Sequence, residues 1–181
     1  MMILLLPAAA RSTTIVPSDF AEMVAGSQVI VHGTVVDVRS QAVAGRGSIE
    51  SVVTVAVVTP IAGPAAARVV FRVPNGQVGR YRRITVGAPE FNAGEEIILF
   101  LRGRPPALPM PFGLNQGVYR VMRTDGTTRV MPAVPSGAGR IVRGDPARRP
   151  MTLEAFAQQV RAVHANMVRA DVVGAERVER R

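Results

Sequence analysis

Five consecutive apolar residues, Ile97-Ile98-Leu99-Phe100-Leu101, stand between Asn92-Ala93-Gly94 and Gly103-Arg104-Pro105-Pro106. A run this long, with turn and breaker residues at both ends, suits a strand buried on both faces and is too short for a self-burying helix. It predicts the central strand of one β-domain. Upstream the chain is β-like, and downstream as far as Pro150 it is turn-rich.

Alternation assigns the flanking strands. Gln28 to Arg39 places Ile30, His32, Thr34, Val36 and Val38 on one face and Val29, Val31, Gly33, Val35 and Asp37 on the other. Gly33 in mid-strand predicts a bulge or bend. Ala42 to Gly47 connects this strand to one over Ile49–Thr59, which Pro60 to Pro64 breaks. A third strand spans Arg68–Val73, Pro74 to Gly79 reads as a turn, and Arg80 to Val86 as a charged edge strand. Gly103 to Phe112, with four prolines, is an extended loop or lid. Beyond it, Gly117–Arg123 and Thr127–Met131 form a hairpin across Asp125-Gly126.

Two helices complete the pattern. Pro17 to Ser27 reads as a short one, capped by Ser18 or Asp19, with Asp19 and Glu22 at capping-box spacing and Gly26 ending it in the left-handed conformation. Thr152 to Ala170 reads as a long amphipathic one, with Thr152 as N-cap and Leu153, Phe156, Val160, Val163 and Met167 on one stripe. Six or seven short strands with frequent turns then predict a mainly β fold: a closed or partly closed antiparallel OB-like barrel, with a β-sandwich as the alternative. Residues 1–10 read as a signal-peptide remnant and 11–132 as the β-barrel domain. Residues 133–150 form a Pro/Gly linker, 151–170 the C-terminal helix and 171–181 a charged tail.

Composition bears on compartment and partners. Met1 to Ala10 is an apolar run ending in an A-x-A site at Ala8 and Ala10, which resembles the end of a secretory signal peptide and makes Arg11 the first mature residue. No charged segment precedes it, as when a start is assigned downstream of the true one. The run is too short to span a membrane, and no other stretch of the sequence approaches the length a spanning helix needs. The expected location is therefore exported, periplasmic or secreted, in a bacterium. The net charge of +9 invites a polyanion reading, yet all 22 basic residues are Arg, a bias that GC-rich coding produces without selection for a partner. With no Cys, disulfides, thiolate metal sites and a Cys nucleophile are excluded.

Motifs for bond-making chemistry are absent: no G-x-S-x-G elbow, no H-E-x-x-H helix, no Walker phosphate loop and no G-x-G-x-x-G after a strand. Gly137-Ala138-Gly139 sits in the linker. The two histidines, His32 and His164, have no matching ligands in sequence and read as structural or surface residues. Glu90, Glu95 and Glu96 form the densest acidic group. Glu95 and Glu96, being adjacent, point to opposite strand faces and make no dyad together, so they read as a solvated turn entering the core strand. Arg80, Tyr81, Arg82 and Arg83 are the best candidate binding residues, with Tyr81 placed to stack a base.

A resemblance adds to this. Gly33-Thr34-Val35, Gly76-Gln77-Val78-Gly79, Val86 to Leu101 and Gly113 to Val121 follow the order seen in a set of uncharacterised exported bacterial β-barrel proteins. The chain resembles them over roughly Ser18 to Pro132, most specifically in A-P-E-F-N-A-G-E-E-I-I-L-F-L. The strand order also looks like the netrin-like barrels, relatives of the OB-fold that include tissue inhibitors of metalloproteinases; that likeness is of fold only. Those inhibitors chelate a protease zinc through an N-terminal Cys, which this chain lacks, so neither resemblance carries over a catalytic residue, a metal or a cofactor. The expectation is an exported, non-enzymatic module that binds a protein, with association with a protease as one form this could take. The alternatives are an OB-type binder of single-stranded nucleic acid or another polyanion through Arg80–Arg83, and a hydrolase assembled from distant residues such as His32 and Glu90.

Overall fold

A computed structural model describes residues 18–45, 47–124, 126–133 and 149–179, with side chains through residue 170. The signal-like run, Arg11, Gly137-Ala138-Gly139 and most of the linker lie outside the described residues. The chain order is α1 (Phe20–Ala25), β1 (Val29–Val43), β2 (Ser48–Ala62), β3 (Arg68–Val73), β4 (Gly76–Val78) and β5 (Tyr81–Arg83). There follow β6 (Glu96–Arg102), β7 (Met110–Pro111), β8 (Val118–Thr124), β9 (Thr127–Pro132), β10 (Met151–Thr152) and α2 (Leu153–Glu179).

The main sheet is antiparallel, in the order β10-β9-β8-β6-β1-β2-β3, with β7 also pairing β6. The expected class, mainly β with a short N-terminal and a C-terminal helix, is present. A closed ring of ladders is not found among the described residues. The sheet curls until a single backbone hydrogen bond, from Arg72 N–H to Pro109 O at 2.9 Å, joins β3 to the strap before β7. The curl starts in the β1–β2 pairing, which shifts register between Ile30 and Val31, between His32 and Gly33 and between Val35 and Asp37. Each shift adds twist and bends the ribbon. At Gly33 a Cβ would sit 2.4 Å from Ala56 O and 2.6 Å from Val55 Cγ1, so the bend needs glycine there.

The central strand is buried on both faces, as its sequence requires. Ile97, Leu99 and Leu101 join Val31, Val35, Val53, Val55, Phe71 and Val73 inside the curl. Ile98 and Phe100 face the other way, into a cluster with Phe20, Met23, Tyr119, Phe156 and Val160 that carries both helices. Burying side chains of this size contributes about 1.5–3 kcal/mol each, so a strand with no solvent face anchors two cores at once.

Several boundaries differ from the sequence expectation. Pro60 does not break the second strand: β2 runs to Ala62, and Pro60 lies opposite Val31 beyond the residues paired with β3. A proline is tolerated where one strand edge has lost its neighbour. Gly26 closes α1 at φ −81°, ψ 0°, not in the left-handed region, while Asp19 caps the other end by accepting the Glu22 N–H at 2.6 Å. α2 continues past Gly174 to Glu179, through most of the segment expected as a charged tail. Its stripe is as expected: Phe156 and Val160 are fully buried, with Leu153, Val163 and Met167 packed against the same cluster.

Candidate functional site

The segment expected as a turn followed by an edge strand is a small hairpin of its own, separate from the main sheet. β4 pairs β5 with Gly76 opposite Arg83, Gln77 opposite Arg82 and Val78 opposite Tyr81. Its base is fastened to the β1–β2 ribbon. The Ser40 and Ser51 hydroxyls lie 3.1 Å apart, Ser51 donates to Asn75 O at 2.8 Å, and Gln77 N–H donates to Ser40 Oγ at 3.1 Å. Gly76, at φ +150°, passes so close to these hydroxyls that a Cβ would lie 2.7 Å from both. Asn75 Nδ2 donates to Pro89 O at 2.8 Å and the Thr85 hydroxyl donates to Pro74 O, which fastens both ends of the excursion. Gly79 turns the tip at φ +56°.

Beyond that base the hairpin is solvated. Tyr81 is 62% exposed, Ile84 72% and Val86 64%. The chain has six Phe, two Tyr and no Trp. Seven of these eight rings, Phe20, Phe71, Phe91, Phe100, Phe112, Tyr119 and Phe156, are buried. Tyr81 alone is displayed to solvent.

The arginines are placed unequally. Arg80 lies in the turn before β5, outside the strand that carries Arg82. Its guanidinium lies 5.1 Å from the Tyr81 ring centroid and donates to the Tyr81 hydroxyl at 2.9 Å. One face of the ring is therefore occupied by a cation. Arg82 pairs with Glu90 at 3.2 Å. Arg83 is exposed, and among the described residues no ion pair holds it. Arg82, Arg83, Glu90 and Asn92 also line a cleft of about 330 Å3 behind the hairpin.

The acidic group separates into three environments. Glu90 meets Arg82. Glu95 accepts from Asn92 Nδ2 at 2.7 Å and from Arg120, and is not the solvated turn residue expected. Burial pushes its carboxyl up, but the hydrogen bonds from Asn92 and Arg120 outweigh that and hold it below the ordinary value. Glu96, on the opposite face, lies 2.8 Å from Nε2 of His32, with Arg123 beyond it. His32 is buried, and its carboxylate is Glu96 rather than Glu90. Nothing local in the sequence marks this pair; it emerges only from the β1–β6 register, which sets Thr34 opposite Glu96 and His32 opposite Ile98. His164 lies half-buried on α2.

No family model, no curated protein and no solved structure matches this chain. Among the described residues no helix is long and apolar enough to cross a membrane, and no three His, Cys, Asp or Glu gather as metal ligands.

Proposed function

We propose that the chain is an exported, non-enzymatic binding module that docks a protein partner through the β4–β5 hairpin. The observation that supports this reading is Tyr81, the single aromatic left in solvent, flanked in the chain by Arg80, Arg82 and Arg83 and followed by the exposed Ile84 and Val86. Exposed aromatic and aliphatic side chains on a firmly based hairpin are the anchor chemistry of protein interfaces, and arginine is the charged residue such interfaces favour. The partner would present an apolar pocket rimmed by carboxylates. The experiment is cross-linking in the exporting bacterium with wild type, with Tyr81→Ser/Ile84→Ser, and with Met122→Ser as a control on the exposed side of β8. One partner lost only with the hairpin variant is the expected result; the same set recovered with all three chains overturns the proposal. N-terminal sequencing of the mature chain tests export, with Arg11 expected first.

The arginines also favour a second reading, in which the hairpin holds single-stranded nucleic acid or another polyanion. Three phosphate contacts would give a log–log salt slope of about −2 on a single strand. Arg80 covers one face of Tyr81, and no second aromatic is exposed to continue a base stack, so the protein reading stands first.

A further inference from the structure

A cavity of about 570 Å3 opens between the first turns of α2, the end of the β8–β9 hairpin and the floor made by β1 and β2. No residue of β4 or β5 lines it, so it is independent of the docking hairpin. His32 and Ile61 at the floor and Ala157 on the helix above are buried. Glu96 and Arg123 are not part of the lining and stand behind the His32 ring.

The network behind the ring holds it through Nε2. Arg123 donates to one Glu96 oxygen at 3.0 Å and lies 2.9 Å from the other. A carboxylate held that way is an acceptor only, so His32 Nε2 is the donor in their 2.8 Å contact. Nδ1 is the ring nitrogen that this contact leaves over, and the His32 side chain is part of the cavity lining.

We infer that this cavity binds a small, neutral, hydroxyl-rich ligand of the saccharide class. Thr59, Thr128 and Thr152 contribute hydroxyls that both donate and accept, and the Gln158 amide does the same. Sugar hydroxyls have that dual character and can pair with each of these groups. The charges in the lining, Glu154 and Arg161, balance, so the site does not select a net charge. The volume lies within the roughly 300–1,000 Å3 of small-molecule sites.

Saturation-transfer NMR on the whole chain, with maltose, cellobiose and diacetylchitobiose as probes, tests this against inorganic phosphate and trialanine. The expected result is transfer to a saccharide, a shift of the His32 Nδ1 nitrogen resonance on saturation, and affinity about tenfold weaker in Thr128→Val and in Gln158→Ala. Both positions are at least partly exposed, so these variants retain the fold. Tyr81→Ser/Ile84→Ser binds the saccharide as wild type does, which separates this proposal from the hairpin. Transfer to phosphate or trialanine alone overturns the ligand class. No transfer to any probe, or an unmoved Nδ1 resonance, overturns the site.

Discussion

Replacing Phe156 with alanine tests whether α2 belongs to the same cooperative unit as the sheet. The ring is fully buried and lies 4.7 Å from Tyr119, 5.6 Å from Phe20 and 6.1 Å from Phe100, centroid to centroid. Truncating a buried Phe costs about 3–5 kcal/mol, and each aromatic pair lost adds roughly 0.5–1.5 kcal/mol beyond buried area. With three partners the expected loss sits in the upper half of that range, about 4 kcal/mol. In a domain of this size that corresponds to a Tm lowered by about 8–16 °C. Urea titration followed by far-UV circular dichroism reads the loss. A single transition with a lower midpoint and unchanged slope is expected, because the helix stays docked over a cavity. Phe156→Leu keeps the apolar fill but loses the ring pairs, and costs roughly 1–2 kcal/mol. A loss under about 1 kcal/mol for the alanine variant would refute the reasoning, since α2 would then add nothing to the core it covers.

Three further outcomes follow from the same geometry. Gly33→Ala drives a methyl against the Ala56 carbonyl, a backbone atom that cannot swing aside, and lowers stability by about 1–3 kcal/mol in a thermal melt; an unchanged Tm would mean the bend tolerates a side chain. Because the Glu95 carboxyl is held below its ordinary 4.5, the unfolded chain binds its proton first as pH falls; the stability it contributes is complete above 4.5 and is lost as pH drops through the lower folded value. Urea midpoints therefore fall between pH 6 and pH 3, and fall less in Arg120→Met; an equal fall in both chains would remove Arg120 as the cause. Ile84→Ser leaves stability within about 0.5 kcal/mol of wild type by urea titration, since the side chain is mostly solvated; a larger loss would place it in the fold rather than the interface.

What was readable in the sequence was what short-range rules govern. The apolar run between breakers marked β6, alternation with clean ends marked β3 over Arg68–Val73, and the five-residue stripe marked the buried face of α2. What was not readable depends on pairing between distant segments. Pro60 reads as a strand end because proline cannot serve a ladder on both sides; that β3 has already ended there is a fact of register. Arg80 to Val86 reads as an edge strand of the main sheet because charge protects edges, but its partner is Gly76–Val78, a segment whose glycines read as a turn. Glu96 reads as solvated because it stands where a glycine turn enters the core strand. Its partner, His32, is 64 residues away.

The two-faced burial of β6 also explains where function can reside. A strand without a solvent face makes every residue on both of its sides answerable to packing, and the interior of the curl and the face under α1 and α2 are filled by Phe, Ile, Leu and Val. A change there is felt as a cavity or a clash. The β4–β5 hairpin belongs to neither cluster; its base is held by Ser40, Ser51 and Asn75, so its tip can vary without disturbing either core. That division makes the exposure of Tyr81 informative. Every other ring in the chain is committed to packing in one of the two cores, whereas Tyr81 meets only its own hairpin, where it pairs with Val78 and carries the Arg80 guanidinium, so its replacement tests the proposed docking role without opening a cavity in either core.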